Sequence, residues 1–294
     1  MADPVLAAFA GFCADARTCD FDDTVWHAAK RCVLDYMGAT LPGGAVAPAS
    51  LMKVAFADML GRGGARLYPG GEVTDARTAA LINGAASHTV EFDDIYRDGI
   101  YHPGVPVISA ALAIAEARDV SGEILLRGVI AGYEVSNRIA ETINPKHYAY
   151  WHTTGTVGTF GAAAAAANLM GLGTEATVRT LGLAALQTSG LMAWQDDPRE
   201  DARPFQMGMA ARSGVTAALL AEGGFGAPDR IFDGGHTVLK AFGRSGDSGP
   251  LVAGLGTVWD GVMELAVKPY ASVSFLHPAL DALEALLAEH SLAP

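Results

Sequence analysis

The chain has 294 residues, of which half are apolar and only 18% are charged, a composition that excludes a disordered protein and favours a large buried core. Its formal net charge of -12 argues against binding to nucleic acid or to an anionic membrane surface. A small anionic substrate stays compatible with this charge, because a basic pocket can lie in an acidic protein.

Helical spacing of apolar residues recurs along most of the chain, with short connections between the segments. A short strand is predicted at 65–68, and a helix that Thr74 or Asp75 caps runs to about Val90. The pattern therefore favours a mainly α protein, with an all-helical bundle domain over 1–256. Further helices are predicted at 4–17, 23–37, 48–60, 105–117, 122–142, 157–170, 174–186 and 206–222.

The pattern of apolar residues changes after residue 256. The run VMELAVKPY, at 262–270, predicts a strand, and 272–290 predicts a helix that follows it. One strand and one helix cannot bury the face of a sheet by themselves. We therefore interpret 257–294 as the start of a smaller α+β lid domain that is incomplete in this sequence.

Three cysteines, Cys13, Cys19 and Cys32, fit no metal-ligand spacing, and we expect free, buried thiols in a reducing cytoplasmic environment. The N-terminal stretch has no basic segment, so no signal peptide is expected. Residues 151–174 carry no charge but are mostly small, which favours a buried central helix over a membrane span. No HExxH, CxxC or DxDxDG pattern occurs, so no metal centre is expected.

Acidic residues gather after the helix that ends near Val90. Glu91, Asp93 and Asp94 precede His102, which lies in a turn before the next apolar helix. Acids and a histidine on a loop between buried helices can transfer protons. The alternative is a solvated loop whose acids face water or cap helices. A second loop, at 144–156, carries His152, together with a lysine and a histidine that we interpret as surface residues.

Five blocks of the chain, in order, resemble the MmgE/PrpD family. They are AALINGAASHTVEFDDIY with HPG, GYEVSNRIA, WHTTGTVGTFGAAAAAANLMGL, MGMAARSGVTAALLAEGGFGAP and KPYASVSFLHPALDAL. The resemblance implies a helical domain followed by a smaller α+β lid, with the active site in the cleft between them. It also implies a homodimer and cofactor-independent removal or transfer of a proton or carboxyl group next to a carboxylate of a small di- or tricarboxylate.

The resemblance assigns site residues position by position. It implies catalytic roles for His102, which matches the family's H-P-S block, and for His152, which matches the histidine before T-G-T. The acids of the family's D-F-D-D-T block fall at Glu91, Asp93 and Asp94, and the first and third are assigned to catalysis. Substrate binding is assigned to Asp93, to Lys268 of the K-P-Y block, to Arg203 and to His277.

Several positions depart from the family pattern. Glu91 is one methylene longer than the family's aspartate, and Ile95 and Gly104 replace a threonine and a serine. The family's active-site lysine falls at Arg203, in a predicted charged loop at 194–203, and its histidine falls at Gln206. Arginine stays protonated and binds carboxylates bidentately, but it is a poor proton donor or acceptor.

The leading hypothesis is a lyase that dehydrates a 2-methylcitrate-like hydroxy acid, with the histidines handling protons and the cations holding carboxylates. An epimerase or decarboxylase of a related polycarboxylate is the first alternative. A truncated, non-catalytic paralogue that serves in binding or dimerisation is the second, because of the incomplete lid and the changes at Ile95, Arg203 and Gln206.

Overall fold

The computed structural model describes residues 3–196, 201–242 and 247–292. These residues form a mainly α structure, as the sequence predicts, with one two-stranded hairpin. The long helices of the first half are α1 (Pro4–Asp15), α2 (Asp23–Gly43), α4 (Ala76–Thr89), α5 (Gly104–Arg118) and α6 (Gly122–Ile143), with the short α3 at Ala49–Ala55. The later ones are α7 (Thr153–Leu169), α8 (Thr174–Ala185), α9 (Ala202–Glu222), α10 (Val238–Ala241), α11 (Gly249–Val252), α12 (Asp260–Met263) and α13 (His277–Glu289).

The antiparallel hairpin joins β1 (Ala65–Arg66) to β2 (Val73–Thr74). The first strand is part of the predicted one at 65–68, whereas the second was not predicted. The hairpin precedes α4, whose N-terminus is capped by the Asp75 carboxylate through the Arg77 backbone N–H. This capping agrees with one of the two predicted caps and sets where α4 begins.

The core is built around α7, every residue of which is buried, and which packs against α5, α6 and α9. Small residues let the backbones approach closely. A Cβ added at Gly158 would lie 2.6 Å from Pro106 Cγ, and one at Gly161 would lie 2.7 Å from Val107 Cγ2. The predicted close helix packing of the 155–161 glycines is therefore confirmed, and it fixes the position of α5 relative to α7.

Gly158→Ala is expected to lower the free energy of unfolding by about 1–3 kcal/mol, because the proline ring opposite cannot rotate away from the new methyl group. Gly38→Ala is the matched control, since a Cβ there meets nothing within 4 Å and alanine favours a helix by up to about 1 kcal/mol. Urea denaturation of both variants checks this prediction. Equal stability of Gly158→Ala and the wild type would show that the two helices can separate freely.

The central helix begins at Thr153 rather than at the predicted Val157. The Thr-Gly-Thr block thus lies in the first turn, and His152 directly precedes the helix. Within the described part of the chain, no helix combines the length and apolar character needed to span a bilayer.

The predicted strand at 262–270 is wrong. Its first residues belong to α12, and its only ladder contact is a single antiparallel bridge between Ile95 and Ala266. Within this segment Val267 is exposed whereas Lys268 is buried. A strand cannot extend here because the segment meets its partner at one residue, and because an ion pair draws Lys268 inward. The predicted C-terminal helix is confirmed as α13.

The three cysteines are free thiols, as predicted, with Cys13 and Cys32 buried and Cys19 half-buried. Burial raises the pKa of Cys13 to about 12, so its thiol is inert at neutral pH. The expected surface position of His147 is wrong, since its ring is buried against Phe242, with ring centroids 4.5 Å apart.

Candidate active site

The loop between α4 and α5 carries the acidic cluster and is folded back by a bridge between Tyr96 and Tyr101. Glu91 and Ile100 adopt positive φ angles of 53° and 46°, which residues other than glycine rarely adopt. Such strain is typical of functional sites. The Glu91 backbone is held by its carbonyl oxygen, which accepts a hydrogen bond from Lys268 Nζ at 3.1 Å.

Asp93 is buried and bridges two histidines with one carboxylate oxygen. Its Oδ2 lies 2.9 Å from His88 Nδ1 and 3.1 Å from His102 Nδ1. His102 Nδ1 also lies 2.7 Å from the backbone oxygen of Asp94. Because carbonyl and carboxylate oxygens only accept, His102 Nδ1 carries the proton. In the neutral ring, Nε2 is therefore the basic nitrogen.

Glu91 is in contact with three positively charged or protonatable side chains. Its Oε1 lies 3.0 Å from His88 Nε2 and forms a short ion pair with Arg203, while its Oε2 lies 3.2 Å from Lys268 Nζ. Burial would raise the pKa of Glu91, but the hydrogen bond and charge of His88, with the charge of Lys268, hold it well below its usual range. Burial would likewise raise the pKa of Asp93, yet His88 and His102 hold it well below its usual value. Both carboxyl groups are thus ionised.

Lys268 reaches the cluster because the segment that carries it is anchored at two places. Ile95 and Ala266 exchange two backbone hydrogen bonds of 3.0 Å. In addition, Glu134 Oε1 accepts the Val262 backbone N–H at 3.1 Å, and Asn137 Nδ2 donates to the Gly261 carbonyl at 2.6 Å. These contacts join α12 to α6 and set the course of the chain toward Lys268.

His152 is buried at the start of α7, and its Nδ1 has no hydrogen-bond partner among the described residues. Its ring packs edge-on against Trp194, with centroids 5.4 Å apart, and the Arg203 guanidinium lies 5.2 Å from the centre of the same indole ring. Burial, followed by the charges of His102 and His88, holds the pKa of His152 well below its usual value. His152 is therefore a neutral imidazole that, once protonated, is a strong acid.

One contact ties the two histidine loops together. The His102 backbone N–H donates to Thr154 Oγ1 at 3.2 Å, and Thr154 lies two residues after His152. Because α5 and α7 are also locked by their small-residue packing, the two rings keep a fixed relation. The site thus forms where the ends of α4, α5, α7 and α9 meet, which also places the N-termini of α5 and α7 near it, where anions are favoured.

Asp94 points into the core instead. Its Oδ1 accepts the Gly104 backbone N–H at 3.0 Å, and its Oδ2 bonds the Tyr133 hydroxyl at 2.6 Å. A Cβ at Gly104 would lie 2.9 Å from the same carboxylate, which accounts for glycine at that position. Burial, with Asp35 nearby, raises the pKa of Asp94 well above its usual value. The side chain therefore caps α5, which is the alternative considered from the sequence.

Asp94→Asn is expected to keep the fold and to become more stable than the wild type as pH rises above about 4, the unperturbed value for aspartate. A carboxyl group whose pKa is raised by folding loses its contribution to stability when pH climbs through the folded value, and the amide does not ionise. Melting temperatures of both proteins between pH 4 and 9 measure this difference. A pH-independent difference would show that Asp94 is ionised in the folded state.

His277 and Gln206 make their contacts outside the cluster, and Arg203 lies on a different element from the one predicted. His277 opens α13, where its Nε2 lies 3.2 Å from the Ser272 carbonyl and its ring packs on Tyr270. Those partners belong to its own segment. Gln206 Nε2 donates to the Leu191 carbonyl at 2.7 Å. Arg203 belongs to α9 rather than to the predicted charged loop, of which residues 197–200 lie outside the described residues.

Two residues of the site were missed from the sequence. His88 lies in the last turn of α4, three and five residues before Glu91 and Asp93, a spacing that could have indicated a shared cluster. Trp194 lies in a short 3₁₀ turn at Met192–Asp196, and no sequence pattern marks it. Conversely, the idea of a solvated acidic loop is wrong for Asp93 and Asp94, which are both buried.

His88, Asp93 and His102 offer ligand atoms within 4.8 Å of one another, a distance compatible with a metal ion. Both Nδ1 atoms, however, already point at the oxygen they would have to share, and the Lys268 ammonium lies 3.9 Å from Asp93 Oδ1. A cation in that place opposes a second positive ion. We therefore assign the three residues as a hydrogen-bonded bridge; the expectation that no metal takes part stays untested.

A family model described as the MmgE/PrpD N-terminal domain matches residues 7–249. Among curated proteins, the chain is 27% identical to a cis-aconitate decarboxylase of Aspergillus terreus over 96% of this chain and 60% of the relative. It is 28% identical to the cis-aconitate decarboxylase-like protein oryM of Aspergillus oryzae over 96% of this chain and 61% of that protein. Human cis-aconitate decarboxylase is 33% identical over 53% of this chain and 33% of its own length. The chain thus spans about 60% of the length of the first two relatives.

Proposed function

The chain belongs to the MmgE/PrpD family, and on that premise we propose that it is a cofactor-independent lyase that acts on a small di- or tricarboxylate. The observation that carries the proposal is the buried cluster in which Lys268, Arg203 and two histidines surround Glu91 and Asp93. Clusters of titratable groups with displaced pKa values are typical of active sites.

The cluster suits an anionic ligand. Among the described residues, His88, Lys268 and Arg203 supply three positive charges against the two of Glu91 and Asp93, which leaves one in excess. Arg203 can bind a substrate carboxylate bidentately, as a lysine at this position could not. The stacking on Trp194 limits the directions in which the guanidinium can point, and so orients the bound acid.

We assign His102 as the base that takes a proton from the carbon next to a substrate carboxylate. The electron pair of the broken C–H bond passes into that carboxylate, where Arg203 and Lys268 stabilise the added charge. In a dehydration, the pair then forms a C=C bond and expels the neighbouring hydroxyl, which leaves as water after protonation. The proton for that water is the one that His102 has taken, because the low pKa of His152 keeps the His152 ring neutral. His152 can donate a hydrogen bond to the departing oxygen through its single N–H.

Decarboxylation is the second candidate, favoured by the names of the curated relatives. In that reaction a carboxylate leaves as CO₂ and its electron pair stays on the carbon. His102, after taking a proton from solvent, delivers that proton to the carbon. Both reactions use the same groups in different order. The dehydration of a 2-methylcitrate-like acid, expected from the sequence, and the decarboxylation of an unsaturated tricarboxylate therefore stand as alternatives to be separated by experiment.

Proton NMR in D₂O of the protein with 2-methylcitrate, citrate, cis-aconitate and iminodisuccinate separates them. Collapse of the 2-methylcitrate methyl doublet to a singlet, or one vinyl signal from citrate, reports dehydration. A pair of terminal =CH₂ signals from cis-aconitate reports decarboxylation. Deuterium at the α-carbon without net product would indicate an epimerase instead. The signals are expected to vanish in His152→Ala. Silence across the panel from a folded wild-type protein would contradict the lyase and favour a non-catalytic binding protein.

We also propose that the protein is a homodimer, as the family resemblance implies. Leu34 on α2 and Val54 on α3 expose 74% and 77% of their surface, and they are residues that such a dimer contact would cover. Light scattering after size exclusion should give twice the mass of one chain. The mass of one chain at micromolar concentration would contradict this proposal.

A further inference from the structure

His88 lies between the two carboxylates of the site and is almost fully enclosed, with 1% of its surface exposed. Its Nδ1 lies 2.9 Å from Asp93 Oδ2, and its Nε2 lies 3.0 Å from Glu91 Oε1. The Nδ1 contact is a hydrogen bond, whereas the Nε2 contact is a close ion pair that is not aligned as a hydrogen bond. A neutral imidazole would leave one bare nitrogen beside a carboxylate oxygen, so the two close carboxylates favour the doubly protonated ring.

The same Asp93 oxygen also faces the proposed base. His102 Nδ1 lies 3.1 Å from it, and the two imidazole rings are 5.2 Å apart in an edge-on arrangement. Asp93 therefore divides its negative charge between His88 and His102. Any change in the charge of His88 reaches His102 through this shared oxygen.

We propose that His88 is a charged imidazolium that positions Asp93 and Glu91 and, through the Asp93 oxygen that it shares with His102, opposes the protonation of His102. The inference rests on the proposed role of His102 and names His88 as a positioning residue, because it touches neither substrate nor reacting atoms. If His88 were uncharged, the negative charge of Asp93 would act on His102 alone and would favour the protonated form of His102.

The surrounding charges support this state of His88. Burial alone would lower the pKa of His88, but Asp93 and Glu91 outweigh burial and raise it. Among the described residues, the other charged or titratable groups near the cluster lie on several elements. They are Lys268 on the C-terminal segment, Arg203 on α9, His152 and Tyr148 before α7, Asp94 on the loop before α5 and Asp35 on α2. Both acids in direct contact with His88 are ionised, and this is what holds the ring charged.

Two neutral variants separate the contacts of the ring. His88→Asn places an amide N–H near Nδ1 and keeps the bond to Asp93, whereas His88→Gln places it near Nε2 and keeps the contact to Glu91. Because each removes the positive charge, the midpoint of the His102 ring titration, followed by NMR, should move about one unit toward higher pH. The acidic limb of the pH–rate profile should move with it. We expect His88→Asn to keep more of kcat than His88→Gln.

A control and a direct observation complete the test. His147→Asn alters another buried histidine, outside the cluster, and should leave the His102 midpoint unchanged. In the wild type, a long-range ¹H–¹⁵N spectrum should show both His88 nitrogens protonated from pH 6 to 9, a result that needs neither a variant nor turnover. A bare His88 nitrogen at pH 7, or an unmoved His102 midpoint in folded His88→Asn, would overturn the inference, whether or not the protein proves to be a lyase.

Discussion

His102→Asn is expected to lower kcat/KM by a factor of about 10² to 10⁴, the range that a positioned general base contributes. The asparagine amide lies near Nδ1 and can still donate to the Asp94 carbonyl, so the loop keeps its anchor. The variant lacks the basic nitrogen that Nε2 provides. The loss should therefore fall on kcat while KM and the melting temperature stay close to those of the wild type.

The matched control is His27→Asn, which changes an exposed histidine of α2 and should leave the kinetics unchanged. Steady-state rates with whichever carboxylate the NMR panel identifies provide the measurement. A decrease of less than threefold in His102→Asn would remove this residue from the proton-transfer step. In that case His152 would be the remaining candidate base, because His88 is enclosed between two carboxylates.

Lys268→Met is expected to destabilise the folded protein by about 3 kcal/mol, because it removes a buried ammonium group that pairs with the Glu91 carboxylate and hydrogen-bonds the Glu91 carbonyl. Lys268 is 2% exposed and contacts both the carboxylate and the carbonyl of Glu91. Its loss also releases the strained backbone of that residue. Methionine matches the aliphatic stem, so packing changes little and the effect reports the charge.

The double variant Lys268→Met/Glu91→Gln should recover about 1 kcal/mol of this loss, since partners in direct contact are not additive. Lys146→Met, at an exposed position, is the control for the substitution itself. Urea denaturation of the wild type, Lys268→Met, Glu91→Gln, the double variant and Lys146→Met measures the coupling. Strictly additive effects, or a Lys268→Met variant within about 0.5 kcal/mol of the wild type, would show that Lys268 is not held by Glu91.

The helices could be predicted because their signals are local. Apolar spacing, caps such as Asp75 and small-residue stretches such as 155–161 determine the elements and the close packing of α7 within short windows. The error at 262–270 has a tertiary cause. Lys268 is buried and Val267 is exposed because the Glu91 carboxylate, 177 positions away in the sequence, holds the Lys268 ammonium group. This contact cannot be seen in the hydropathy pattern.

The candidate site could be predicted only in part for the same reason. The residues of recognisable blocks, His102, His152 and Lys268, do converge with Arg203 and Asp93. The direction in which a side chain points could not be predicted from the sequence. Asp94 is adjacent to Asp93 in the sequence, yet it faces the opposite side and caps α5. His88 was missed because its significance depends on two acids that bend back onto it after the helix has ended.

The measurement that tests the central claim most directly is deuterium uptake from D₂O into a bound polycarboxylate, followed by NMR with wild type and His102→Asn at equal saturation. The structure predicts that wild type exchanges hydrogen at the carbon next to a carboxylate, whereas His102→Asn binds the same acid without exchange. Equal uptake by both proteins, or binding by wild type with no uptake at all, would contradict a proton-transfer site built on His102.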